Sequence, residues 1–377
     1  MNVYIKIVSF LLVILLSVTL LQVRADAKED AITVSAKSAC LIEAQSGRVL
    51  YSKNAEKQMP MASTTKIMTA IVALEYGPPL DTIVKTPPEA VGVEGSSIYL
   101  EEDEQITLGS LLYALLLSSA NDAAIAIAHT VGGSCEKFVS LMNEKAVALG
   151  LSNTHFENPH GLDGKEHYTT AHDLACLLAY AIKNDTFLKI SGTEKIVIPK
   201  KDNGTCVLIN HNRLLKTYDG VISGKTGFTK KSGRCLASCA EREGLTLIAV
   251  TLDAPNDWAD HTSLYDFGFE NYQRVSLDAV KFSIPVISGQ KSEITATSDC
   301  VSIFVHRSNG GITTKIEAPH FLFAPVKTGD TIGRVLYYCD GKLIATSPIY
   351  AGEDADAVRY KFNLFSWLID FIKGLFD

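Results

Sequence analysis

The chain has 377 residues, 47 % hydrophobic and 20 % charged, an ordinary globular balance with length enough for two domains. A net charge of −7 excludes a broad basic surface, so no nucleic-acid partner is expected.

At the N-terminus Lys6 precedes an apolar run over 7–23, and Ala25 and Ala27 follow in an A-x-A pattern. Residues 1–27 read as a secretory signal peptide, the alternative being an uncleaved membrane anchor. Either reading exports the protein. The eight cysteines are scattered and form no CxxC pair. In an exported chain they can be disulfides or buried thiols packed as small hydrophobes.

Residues 28–275 read as α+β. Ser38–Ala44 is strand-like, Gln45-Ser46-Gly47 a turn, and Arg48–Ser52 a returning strand. Ala62–Glu75 is helical and apolar on nearly every face, which implies burial at the domain centre. Leu108–Leu117 is a second apolar helix that stops at Ser118-Ser119-Ala120, where Asn121 can cap the next. Cys135–Leu149 and Thr170–Lys183 are further helices, the first ended by Gly150. Strands return at Lys195–Ile198, Gly220–Thr229, Arg234–Glu241 and Leu245–Leu252. The pattern implies an antiparallel sheet flanked by helices. From 276 to 357 short alternating segments punctuated by Asn309-Gly310-Gly311 and Asp340-Gly341 imply a small all-β domain. In the last segment, 358–377, the polar residues after Arg359 fall in one arc at about 100° per residue, opposite Trp367 and several phenylalanines. This amphipathic helix suits a membrane surface; docking on the protein's own core or on a partner is the alternative.

Three segments carry chemistry. Ser63 and Lys66 in Ser-Thr-Thr-Lys are one helical turn apart, near a helix N-terminus that favours developing negative charge. A serine hydroxyl needs a base. Lys66 can be that base if burial and a nearby cation, with Lys225 the candidate, depress its pKa. Ser119 and Asn121 sit at the break between two helices. Ser119 can relay a proton to a leaving amine and Asn121 can hold a substrate backbone, although helix capping also accounts for both. Lys225-Thr226-Gly227-Phe228 lies on a strand whose edge can pair with an extended peptide. There Lys225 and Thr226 can bind a carboxylate, and Gly227 permits close approach. The backbone N–H groups of Ser63 and Phe228 are candidates for an oxyanion hole. His155, His160, His167 and His172 match no zinc-ligand spacing, so neither metal nor cofactor is expected. His160 reads as a loop residue beside Gly161 rather than as a base.

The set S-x-x-K, S-x-N and K-T-G is shared by penicillin-binding proteins and class A β-lactamases. Together with Pro60–Lys66, Ser119–Ala123, Asn158–Leu162, Tyr168–Asp173 and Asn210–Leu215, it makes residues 30–275 resemble the serine-type D-alanyl-D-alanine carboxypeptidases, the low-molecular-mass penicillin-binding proteins. The resemblance implies a β-lactamase/transpeptidase-like domain followed by the β domain and the terminal helix. It implies an acyl-enzyme on Ser63, with a peptidoglycan stem peptide ending in D-Ala-D-Ala as substrate and β-lactams as acylating agents. The implied location is the outer face of a bacterial cytoplasmic membrane. Two positions depart from some relatives: Phe228 stands where a histidine is found, and His211 where an arginine is found, with Arg213 two residues on. A β-lactamase and a non-catalytic peptidoglycan sensor are the competing readings.

Overall fold

The computed structural model describes residues 32–308 and 310–358, with Ile369 and Phe371. The expected signal segment, 1–27, and most of the expected terminal helix, 358–377, lie outside the described residues. Ile369 and Phe371 are helical and exposed. The chain divides into two compact units, Met1–Ala240 with Leu247–Phe267, and Glu241–Thr246 with Gly268–Asp377.

The first unit is built on a five-stranded sheet. Its strands are β1 (Ser38–Glu43), β2 (Val49–Lys53), β7 (Val221–Thr229), β8 (Gly233–Arg242) and β9 (Leu245–Leu252), in the order β2-β1-β9-β8-β7. Two short hairpins lie outside it: β3 (Ile83–Lys85) with β4 (Gln105–Thr107), and β5 (Lys195–Pro199) with β6 (Thr205–Ile209). The β1–β2 turn closes where Gly47 takes φ +70° and the Glu43 carboxylate accepts the Gln45 and Ser46 N–H groups. The β8–β9 turn places Glu243 at φ +51° and Gly244 at φ +73°, the paired left-handed geometry that suits strand twist. β7 is left at the sheet edge.

Helices cover the sheet: α1 (Lys66–Tyr76), α2 (Leu108–Leu117), α3 (Asn121–Gly132), α4 (Cys135–Ala148), α5 (Ala171–Ala181), α6 (Asp185–Ser191), α7 (Leu214–Thr217) and α8 (Asp257–Asn271). Residues Lys66–Ala73 of α1 are all buried, the central placement that its apolar faces imply. The sequence suggested one helix from Ala62. Instead Ala62–Thr65 form a tighter 3-10 turn, and the α-helix begins at Lys66. The Thr64 and Thr65 hydroxyls donate back to the carbonyls of Met61 and Ala62 at 2.6 and 2.8 Å, and such local bonds compete with the α-helical ladder. α2 has the bounds read from the sequence. The capping role expected of Asn121 falls to Ala120, an extended residue with no side-chain bond, because the Asn121 amide is used elsewhere. The β3–β4 pair, β6, α6, α7 and α8 had no counterpart in the sequence reading. Buried Asp257, Asp260 and His261 interrupt the apolar period of α8. Asp257 takes a two-pronged bond from Arg234, and Asp260 accepts from Ser35 and Ala36.

From Tyr272 to Ala351 the regular elements of the second unit are all strands. It comprises β10 (Tyr272–Leu277), β11 (Lys281–Ile287), β12 (Glu293–Ser298), β13 (Val301–His306), β14 (Ile312–Glu317), β15 (Leu322–Phe323), β16 (Thr331–Cys339) and β17 (Lys342–Ala351). Six strands form a sheet in the order β14-β16-β17-β12-β11-β15, while β10 pairs with β13. Alternation along β11 buries Ile284 and Val286 against Ile294, Ala296, Val335, Tyr337 and Ile349. Asp340 and Gly341, both at positive φ, make the β16–β17 turn. β10 starts ahead of residue 276, has little apolar alternation, and yet pairs along its whole length with β13. No disulfide joins any of the eight cysteines, all of which are described as thiols.

Candidate active site

Folding brings Ser63, Lys66, Ser119, Asn121 and Lys225 together. Lys66 Nζ donates to Asn121 Oδ1 at 2.7 Å and to the His160 carbonyl at 2.5 Å, and it stands 2.9 Å from Ser63 Oγ. Two fixed acceptors occupy two N–H bonds of the amine. In the neutral amine the remaining direction, the lone pair, points at the serine hydroxyl. Burial pulls the Lys66 pKa well below its ordinary value; the Lys225 charge adds to this and Asp122 opposes it. Lys66 has no exposed surface, whereas Ser63 is partly exposed, so the amine is shielded and the hydroxyl is reachable.

Ser119 Oγ accepts from Lys225 Nζ at 3.1 Å, and the same ammonium donates to the Thr226 carbonyl at 2.8 Å. Burial alone brings the Lys225 pKa down to about 7. Ser119 is held at φ +60°, a conformation uncommon outside glycine, where α2 breaks before α3. Among the described residues no hydrogen bond joins Ser119 to Lys66. The Asn121 amide is engaged at both ends, Oδ1 on Lys66 and Nδ2 donating to the Glu94 carbonyl at 2.6 Å. It therefore ties the lysine to the 94–96 loop.

Gly227 packs closely against the turn that carries Ser63. A Cβ there would fall 3.0 Å from Ser63 N and 3.1 Å from the Met61 carbonyl, so its missing side chain admits the nucleophile's own turn. That contact sets Ser63 N beside the edge strand. Thr226 is partly exposed, and the Phe228 side chain is 65 % exposed. His211 and Arg213 reach solvent; partial desolvation of the His211 ring first, then the Lys225 charge, lowers the His211 pKa. His160 meets Lys66 through its carbonyl, and its ring Nδ1 accepts the Leu162 N–H at 3.2 Å, as suits a loop residue.

Sequence reasoning assigned no part to Asp122. Its buried carboxylate accepts from Ser97 Oγ and from the N–H groups of Ile98 and Leu100, tying the 97–100 loop beside Asn121. An aspartate within the otherwise apolar stretch after Asn121 was the available signal. The Glu94 and His160 acceptors are backbone carbonyls, which leave no mark in residue type. For a metal, Glu56, His172 and Asp173 are the group among the described residues whose donor atoms lie within 4.8 Å of one another. His172 already pairs with Glu56 at 3.0 Å, and Asp173 accepts from Asn153 and Thr154.

A hydroxyl bonded to a buried amine, with a second buried lysine on an adjoining sheet edge, is the equipment of a serine acyl-transfer enzyme. Comparison with known proteins gives the family. The model for D-alanyl-D-alanine carboxypeptidase, peptidase family S11, matches residues 23–256, and that for the C-terminal domain of penicillin-binding protein 5 matches residues 269–357. The chain belongs to the S11 D-alanyl-D-alanine carboxypeptidase family. It is 35 % identical over 349 residues to the D-alanyl-D-alanine carboxypeptidase DacF of Bacillus subtilis, covering 88 % of this chain and 90 % of that one. It is 32 % identical to DacC of Escherichia coli, over 88 % of this chain and 87 % of that one. Among solved structures, penicillin-binding protein 5 of Haemophilus influenzae superposes with a TM-score of 0.73 at 27 % identity, over 86 % of this chain and 99 % of that one.

Proposed function

We propose that this chain is a serine D-Ala-D-Ala carboxypeptidase acting on peptidoglycan stem pentapeptides. Ser63 Oγ attacks the carbonyl carbon of the penultimate D-alanine while its proton passes to neutral Lys66. The Ser63 and Phe228 N–H groups hold the oxyanion. Collapse breaks the peptide C–N bond, and the leaving nitrogen takes up, through Ser119 as relay, the proton that Ser63 gave to Lys66. Terminal D-alanine departs, and water hydrolyses the Ser63 ester. Lys225, Thr226 and Gly227 form the wall for the substrate's terminal carboxylate, with Asn121 steadying Lys66. β-Lactams acylate the same serine. The observation that carries this reading is the 2.9 Å approach of Lys66 Nζ to Ser63 Oγ, with the amine's other bonds fixed. Intact Ser63, Lys66, Ser119 and Lys225 weigh against a non-catalytic sensor, and the carboxypeptidase relatives weigh against a β-lactamase. Ser63→Ala is expected to abolish both D-alanine release and the penicillin mass adduct; an adduct that persists on another residue removes the assignment.

The chain's exported location, with 1–27 as signal peptide, 28–275 as catalytic domain, 276–357 as β domain and 358–377 as membrane-surface helix, belongs to the same proposal. Its support is the wide apolar arc after Arg359. No helix among the described residues is long and apolar enough to cross a membrane. Truncation before Arg359 is expected to shift the protein from the membrane to the soluble fraction with activity on soluble peptide retained. Unchanged membrane attachment would refute the anchor.

A further inference from the structure

The residue before Ser63, Ala62, has φ +47°, an unfavourable backbone for an alanine. Its carbonyl accepts the Thr65 hydroxyl proton at 2.8 Å. Thr65 Oγ1 in turn lies 2.7 Å from His167 Nε2, and His167 Nδ1 accepts the Glu157 backbone N–H at 3.0 Å. That last bond settles the tautomer. Nδ1 must carry the lone pair, so the ring proton sits on Nε2 and is donated to Thr65. The chain of bonds has one direction: Nε2–H to Oγ1, then Oγ1–H to the Ala62 carbonyl. Thr65 is fully buried and His167 is 4 % exposed, so water has little access to compete.

A trans peptide unit is planar, and its C=O and N–H point opposite ways. Fixing the Ala62 carbonyl therefore fixes the direction of the Ser63 N–H. Gly161 and Gly227 close in on this peptide. A Cβ on Gly161 would fall 2.1 Å from the Ala62 oxygen, and one on Gly227 would fall 3.0 Å from Ser63 N. The glycines leave the peptide room to fit; the hydrogen bonds from Thr65 and His167 set its rotation.

We propose that His167 is a positioning residue for acyl transfer: through Thr65 it locks the Ala62–Ser63 peptide so that the Ser63 N–H is aimed as an oxyanion donor. The inference rests on the acyl-transfer reading above. Hydrogen bonding to the carbonyl also polarises the same amide, which strengthens its N–H as a donor. A histidine that only fills space predicts none of this directionality.

The test is the second-order rate of acylation by a fluorescent penicillin, together with kcat and KM for pentapeptide hydrolysis. His167→Gln keeps a donor at the Nε2 position and is expected to stay within about threefold of the native rate. His167→Asn keeps only an acceptor for Glu157, and Thr65→Val removes the middle link. Each is expected to slow acylation and kcat by about 10–100-fold, short of the about 10²–10³ that deleting an oxyanion donor costs, with KM little changed. The two combined are expected to be no slower than the slower single variant, since both break one chain. Thr65→Ser is expected to restore the rate. Equal rates for Gln and Asn at position 167, multiplying losses in the double variant, or a loss confined to KM would each overturn the proposal. If His167→Asn does not fold, the Thr65→Val and Thr65→Ser pair reads the same chain. Failure of the acyl-transfer reading itself is seen separately, as label surviving in Ser63→Ala.

Discussion

In the first unit Lys66 and Lys225 are buried to 0 % and 1 % exposure, and among the described residues neither has an ion pair with a carboxylate. In the second unit Lys315, Lys327 and Arg334 lie at the surface and pair with Glu317, Asp354 and Asp356. Burial disfavours the charged form of each lysine in the first unit and drives its pKa down. Pairing in water holds Lys315 and Lys327 above the ordinary value and Glu317 and Asp354 below it. The opposite shifts show what each arrangement is suited for. Exposed pairs keep both groups ionised and contribute little to stability. Unpaired burial makes an amine available as a base near neutral pH at a cost in stability, as expected where function and stability conflict.

The contrast yields one large expected effect and one small one. Lys225→Met removes the buried charge and keeps the volume. It is expected to lower kcat/KM on pentapeptide by about 10²-fold or more, through the lost carboxylate contact, and yet to raise Tm at pH 7 by a few degrees. The native pH dependence has a definite sign. The folded Lys225 pKa of about 7 lies below the ordinary 10.5, so between those values the unfolded chain binds more protons. Native stability therefore rises with pH across that window, and Lys66 contributes with the same sign. Thermal melts from pH 6.5 to 9.5 should show this rise, less steep in Lys225→Met; a variant that melts lower, with an unchanged slope, contradicts the comparison. At the other extreme, Glu317→Ala cuts the surface pairs to Lys315 and Arg334. It is expected to leave Tm unchanged within about 2 °C and activity intact. A large loss would show that the second unit also depends on its charges.

How much of this was legible in the sequence follows from what residue type can record. The hydroxyl, the two lysines and the edge strand were readable because their chemistry needs particular side chains. So were α2, whose ten residues are apolar apart from Gly109 and Ser110, and the turns at Gly47, Gly244 and Gly341, where positive φ favours glycine. The Lys66 acceptor at His160 was hidden because a carbonyl is common to every residue. The left-handed Ala62 and Ser119 were hidden because neither residue favours that conformation. Gly227 could be read as special, but its contact with Ser63 N depends on how a 3-10 turn meets β7. α8 escaped notice because Asp257, Asp260 and His261 are buried by hydrogen bonds, which periodicity does not record.

The central claim, a buried neutral lysine serving Ser63, is tested most directly by the pH dependence of native acylation by penicillin between pH 4 and 10. The account predicts an acid limb whose midpoint lies well below 10.5, the ordinary lysine value, with a plateau above it. A rate still climbing toward pH 10 with an ordinary lysine midpoint, or one with no acid limb at all, would contradict it.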